Sequence, residues 1–119
     1  MAYERGPQLF DPTGIASFQN NITATAGGGR GAARPLLAAF NRISVCATAA
    51  DSVALPPATG GQEVTVINSG AASAQVFAAV GTSDTINGVA AVTGVPLAAA
   101  GKAQFVSVDV GQWFSILSA

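Results

Sequence analysis

The chain has 119 residues, five basic and six acidic side chains, a net charge of −1, no histidine and one cysteine. That length supports one domain burying roughly 65% of its unfolded surface, with no room for a second core. The missing histidine removes the commonest general base and metal ligand, the single cysteine excludes a disulfide within one copy, and the charge balance gives no field for nucleic acid or an anionic membrane. Charged residues make up only 9% of the chain, beside 25 alanines and 14 glycines. A surface so short of solvating groups is expected to be covered in part by another chain.

Residues 1–34 show no sustained period and collect the turn formers Gly6-Pro7, Asp11-Pro12, Asn20-Asn21 and Gly27-Gly28-Gly29, so they are expected to form an extended N-terminal arm. Glu4, Arg5 and Pro7 interrupt any secretory signal, and the mature chain is expected to begin near Met1. The arm carries Tyr3, Phe10, Ile15, Phe18 and Ile22, which need cover, and Arg30 and Arg34, which give it a balance of +2 up to Arg42 against −3 in the remainder. These seven residues are the candidate contacts to a partner or neighbouring subunit. The alternative is that the arm folds back on its own body as an extra edge strand. No Gly-Lys-Ser/Thr follows the glycines, so a hinge is expected there rather than a phosphate loop.

The remainder, residues 35–119, is expected to be a β-domain. Arg34-Pro35 to Phe40 leaves a helical turn and an extended lead-in equally open. From Asn41 the period is 2, with Ile43, Val45 and Ala47 on one face. Val53 to Leu55 follows as a short strand, then one with Val64 and Val66 inward, and then Ala74 to Val80, apolar on both faces and expected to be buried twice. Asn87-Gly88 predicts a hairpin, with Val89 to Val95 returning across it and Pro96 breaking the pairing. Gln104 to Val108 and Trp113 to Leu117 complete about seven strands, which predicts an all-β fold of low helix content, a single antiparallel β-sandwich or barrel.

No catalytic constellation is readable. The carboxylates share no motif, Asp84-Thr85 lacks the glycine of an Asp-Thr-Gly site, and Asp84 is expected to cap its own turn. Cys46 is expected to be a buried, inert filler, and the Asn21-Ile22-Thr23 glycosylation pattern to be a chance match. The charge-free stretch 64–83 is too polar for a bilayer core. Trp113 and Phe105 are expected to be core or interface anchors. Neither an enzyme activity nor a cofactor or metal is expected.

The segments Asn41-Arg42-Ile43, Ala49-Ala50-Asp51-Ser52-Val53 with Leu55-Pro56, Val64 to Ala71, Asp84-Thr85-Ile86-Asn87-Gly88, and Gly101, Phe105 and Gly111-Gln112-Trp113 resemble a β-rich module of tailed-bacteriophage structural proteins, especially capsid decoration (cement) proteins. The resemblance covers about two-thirds of the chain and leaves the arm unmatched; Gly81 stands three places before Asp84, where such modules often carry glycine directly before the aspartate. It implies a non-enzymatic virion component on the capsid surface, commonly a homotrimer, with the major capsid protein as partner and no nucleic acid or membrane. The rival expectation is a receptor- or carbohydrate-binding fibre domain, contacting its ligand through Trp113, Gln112 and Asn87.

Overall fold

Strand structure begins at Phe18, inside the segment read as an arm. The computed structural model describes residues 17–26, 29–90 and 92–118, so Tyr3, Phe10 and Ile15 lie outside the described residues. β1 (Phe18–Thr23) runs parallel to β3 (Phe40–Val45), with Phe18 opposite Phe40 and Ile22 opposite Ile43. Asn20-Asn21, read as a turn, is a bulge: Asn21 takes a φ of +59°, its N–H is held by Asn20 Oδ1 at 2.9 Å, and the register shifts there. Asparagine tolerates that left-handed geometry better than most residues. The shift turns Ile22 inward, where it is buried in the core.

From there the chain alternates between two sheets. β2 (Arg34–Pro35), β4 (Asp51–Ala54) and β6 (Ala74–Phe77) stack in parallel in a smaller sheet, while β1, β3 and β5 (Gln62–Asn68) stack in parallel in a larger one. The chain thus winds through three turns of roughly 20–25 residues, a solenoid-like arrangement in which each turn rests on the last. Its arcs are tied together by backbone bonds: Ala24 N–H donates to Val45 O, Ser69 N–H to Ile43 O and Ala72 N–H to Cys46 O at one end, and Leu36 N–H to Ala54 O and Leu55 N–H to Phe77 O at the other.

The last turn is closed by antiparallel strands. β8 (Val95–Leu97) pairs with β6, β9 (Lys102–Asp109) with β5, and β10 (Gln112–Ser118) with β9, while the two-residue β7 (Thr85–Ile86) runs parallel to β10. The orders are β1-β3-β5-β9-β10-β7 and β2-β4-β6-β8. The all-β class holds, and the only helix among the described residues is a 3-10 turn, Arg30–Ala32. The antiparallel sandwich does not describe it, because five of the eight ladders are parallel. A period of 2 reports which face is buried and carries no strand direction. Here the connections decide: from β1 to β9 each crosses to the opposite sheet, and only β9 to β10 turns back, so along the winding a strand of one sheet serves as the crossover for the other.

Three further expectations change. Asn87-Gly88 is a left-handed two-residue turn, with φ of +58° and +74° and Val89 N–H donating to Ile86 O. No hairpin follows, since β7 pairs with β10, and Pro96, rather than breaking a pairing, sits in the edge strand β8 opposite Gln75. In β3 the alternation slips after Ile43, leaving Val45 exposed and Cys46 buried. Val64 and Val66 point inward as expected, and Ala74 to Phe77 is buried on both faces except at Gln75.

Between the sheets lies one core containing Ile22, Ile43, Val53, Val64, Val66, Phe105 and Trp113. Two asparagines are buried with it. Asn41 Nδ2 donates to Ala38 O at 2.8 Å and to Thr65 O of the next turn at 3.3 Å. Asn68 Nδ2 donates to Ala72 O and Leu97 O, and its Oδ1 accepts from Gly70 N–H. The carbonyls of Ala38 and Ala72 lie between strands, so there these amides supply donors that the ladders do not.

Candidate interaction surface

The two sheets differ in what covers their outer faces. Over the smaller one, Gly29 to Ala33 cross the outward side of β4 and β6: Ser52 Oγ donates to Gly29 O at 3.3 Å, and Ala33 packs with Ala54 and Phe77 in a second small cluster. Arg30 anchors this strap. Its Nε donates to Ala78 O at 3.4 Å, and its Nη2 to Ala79 O, Thr82 O and, at 3.1 Å, Thr82 Oγ1. Arg30→Ala would take the guanidinium donors from Ala78 O and Thr82 O, while Ala79 O keeps the Thr82 hydroxyl, so its unfolding midpoint is expected to fall, with a loss of about 1–3 kcal/mol. Arg30→Lys is expected to restore little, because one ammonium cannot serve a planar set of acceptors. An unchanged denaturant midpoint for Arg30→Ala would contradict this anchoring.

No described residue plays that part on the larger sheet. The register lines up Phe18, Phe40, Thr65, Gln104 and Ile116 in one row across β1, β3, β5, β9 and β10. Phe18, Phe40 and Ile116 in this row are 76%, 46% and 58% exposed. A neighbouring row holds Glu63, Val106 and Phe114, and the row on the other side holds Arg42, Ile67 and Lys102. Val108, one step beyond Val106 on the same face of β9, is 71% exposed. Two of the charged groups on this face are met within the chain by neutral partners: Arg42 donates to Asn20 Oδ1 and Ser69 Oγ, and Glu63 Oε1 accepts from Gln104 Nε2 at 3.3 Å. A broad face that exposes Phe18, Phe40, Val108, Phe114 and Ile116 around Thr65 and Gln104, with Arg42, Glu63 and Lys102 one step to either side of the central row, is suited to docking.

The sequence-derived contact residues separate in the fold. Phe18 stands on the open face, Ile22 is in the core, Arg30 holds the strap, and Arg34 is half-buried on β2. The division at residue 34 therefore does not separate arm from body, since Phe18–Thr23 is a strand of the larger sheet. Sequence reasoning missed Phe40, Val106, Val108, Phe114 and Ile116 as surface residues. For β9 and β10 a signal was present, since Val106, Val108, Phe114 and Ile116 alternate with the inward Phe105 and Trp113.

The remaining candidates are structural. Trp113 is wholly buried with its indole N–H donating to Pro56 O at 3.2 Å, and Phe105 is wholly buried too, so neither ring can stack on a sugar. Asn87 is exposed and bonded to Ser115. Asp84 does not cap its own turn: it is buried, and Oδ2 accepts from Ala58 N–H at 2.8 Å, pinning the link between β4 and β5. Burial first, and then the nearby Asp51 carboxylate, push the Cys46 thiol above its ordinary pKa, which keeps it protonated and unreactive. No helix among the described residues is long and apolar enough to cross a membrane. No protein-family model, curated protein or solved structure matches the chain.

Proposed function

We propose that this chain is a non-enzymatic structural protein of a virion, a decoration protein that binds the outer surface of a phage capsid and stabilises it. The observation that carries the reading, as a component of an assembly, is the bare, largely apolar face of the larger sheet, on a body whose other sheet is strapped by its own chain. Such a surface is built to be occupied by protein. The resemblance in Asn41-Arg42-Ile43, the run Val64 to Ala71 and the Asp84 to Gly88 segment supplies the phage context. In this reading the major capsid protein is met through the segment that precedes Phe18, with Tyr3, Phe10 and Ile15 as its apolar contacts.

The test is co-sedimentation with empty shells of the encoding phage. Saturable binding and a raised shell-disruption temperature are expected, and deletion of residues 2–16 is expected to abolish binding while leaving the body's thermal unfolding in place. That deletion stops short of Phe18, because removing Phe18–Thr23 would take a strand and Ile22 from the core. Failure to sediment with shells, or binding to glycans instead, would overturn the reading, the latter in favour of a fibre domain.

A further inference from the structure

We infer that the outer face of the larger sheet is the contact surface for a second copy of this chain, related by a two-fold axis that runs across the strands along the row Phe18, Phe40, Thr65, Gln104 and Ile116. The inference deepens the proposed function by naming what occupies the open face, and rests on that reading only in treating the face as a docking surface.

The argument is one of charge placement. Packing two sheets face to face sets them ~10 Å apart with strands aligned within about 30°. A two-fold axis along the central row reverses the strand direction and lays the row Glu63, Val106, Phe114 of one copy over the row Arg42, Ile67, Lys102 of the other. Glu63 lies on β5, between β3, which carries Arg42, and β9, which carries Lys102. Strand spacing of about 4.8 Å therefore brings its carboxylate between the two basic groups of the partner. The symmetry repeats the arrangement, so the face is complementary to itself. Along the axis, Phe18, Phe40 and Ile116 meet their own copies, and the apolar stem of Lys102 lies over Val106 of the other copy.

An axis along β5 instead would set Glu63 against its own copy, a like-charge contact that disfavours that pairing. A threefold arrangement, which the resemblance implies, uses unlike patches and leaves this self-complementarity unused.

The test uses the full chain and its charge variants. Sedimentation equilibrium of the wild type is expected to give the mass of two copies. Glu63→Lys, and separately Arg42→Glu with Lys102→Glu, are each expected to weaken self-association tenfold or more, and mixing the two variant chains is expected to restore a pair. All three side chains are exposed, so folding is not at stake, and unchanged circular dichroism checks this. A wild type that sediments as one copy or three would overturn the inference. So would charge variants that pair as well as the wild type, or a mixture that fails to recover. Full-length monomers that pair only after deletion of residues 2–16 would assign the face to the chain's own N-terminal segment. Shell binding by a chain that does not pair would sink this inference and leave the decoration reading standing.

Discussion

Trp113→Ala is expected to remove a large part of the domain's stability. Trp113 is the largest wholly buried side chain; it stands on β10 opposite Ile86 of β7 and donates its indole N–H to Pro56 O. Truncating a buried aromatic of this size costs about 3–5 kcal/mol, because lost transfer free energy and the cavity add. Against a total of about 5–15 kcal/mol for an ordinary domain, that removes between about a fifth and all of the margin. Trp113→Phe keeps most of the volume and leaves the Pro56 carbonyl unpaired, so its loss is expected to be about 1–3 kcal/mol. Denaturant titration followed by far-ultraviolet circular dichroism reads both. Near-equal midpoints for Trp113→Ala and the wild type would show that the indole is not part of the core.

Gly70→Ala is expected to be among the most damaging single-methyl changes at the described glycines. A Cβ at Gly70 would lie 2.5 Å from Cys46 N and 2.6 Å from Cys46 Cβ. The obstacle is backbone of the preceding turn, and it cannot yield alone: Ser69 N–H donates to Ile43 O and Ala72 N–H to Cys46 O on either side of the contact. Gly70 itself donates to Asn68 Oδ1. Making room therefore separates two stacked arcs, at a cost of about 3 kcal/mol, the upper end for overpacking. Gly31→Ala is the control, since nothing lies within 4 Å of its added Cβ and its φ is not positive. A fall of many degrees in the melting temperature is expected for Gly70→Ala and almost none for Gly31→Ala. Equal melting temperatures would contradict the stacking of the arcs.

Those two residues also show what the sequence discloses and what it withholds. The inward positions Val64, Val66, Phe105 and Trp113 were legible because burial follows the pleat, and local pattern records it. Gly70 was legible only as part of a turn; that its missing side chain admits Cys46 from the preceding turn is a long-range fact. Ile22 was assigned to an arm because Asn20-Asn21 reads as a turn, whereas the bulge keeps the strand going and moves Ile22 to the inner face. Asn87-Gly88 gave its turn correctly and its partner wrongly. A turn fixes the path of a few residues, and the strand that then pairs with β7 comes from β10. The docking face was invisible for a similar reason: composition announced a surface in need of cover, but Phe18, Phe40, Thr65, Gln104 and Ile116 form a row only once parallel and antiparallel registers are both known.

That row exists because β3 and β5 run parallel. Nuclear Overhauser measurements on isotopically labelled protein test it directly. In a parallel pairing of β3 with β5, the amide and Hα contacts are expected to link Phe40 with Thr65 and Arg42 with Ile67 in ascending order along both strands, without close Hα to Hα contacts between them. Strong Hα to Hα contacts between β3 and β5, with residue numbers rising on one strand as they fall on the other, would contradict the wound architecture and dissolve the row with it.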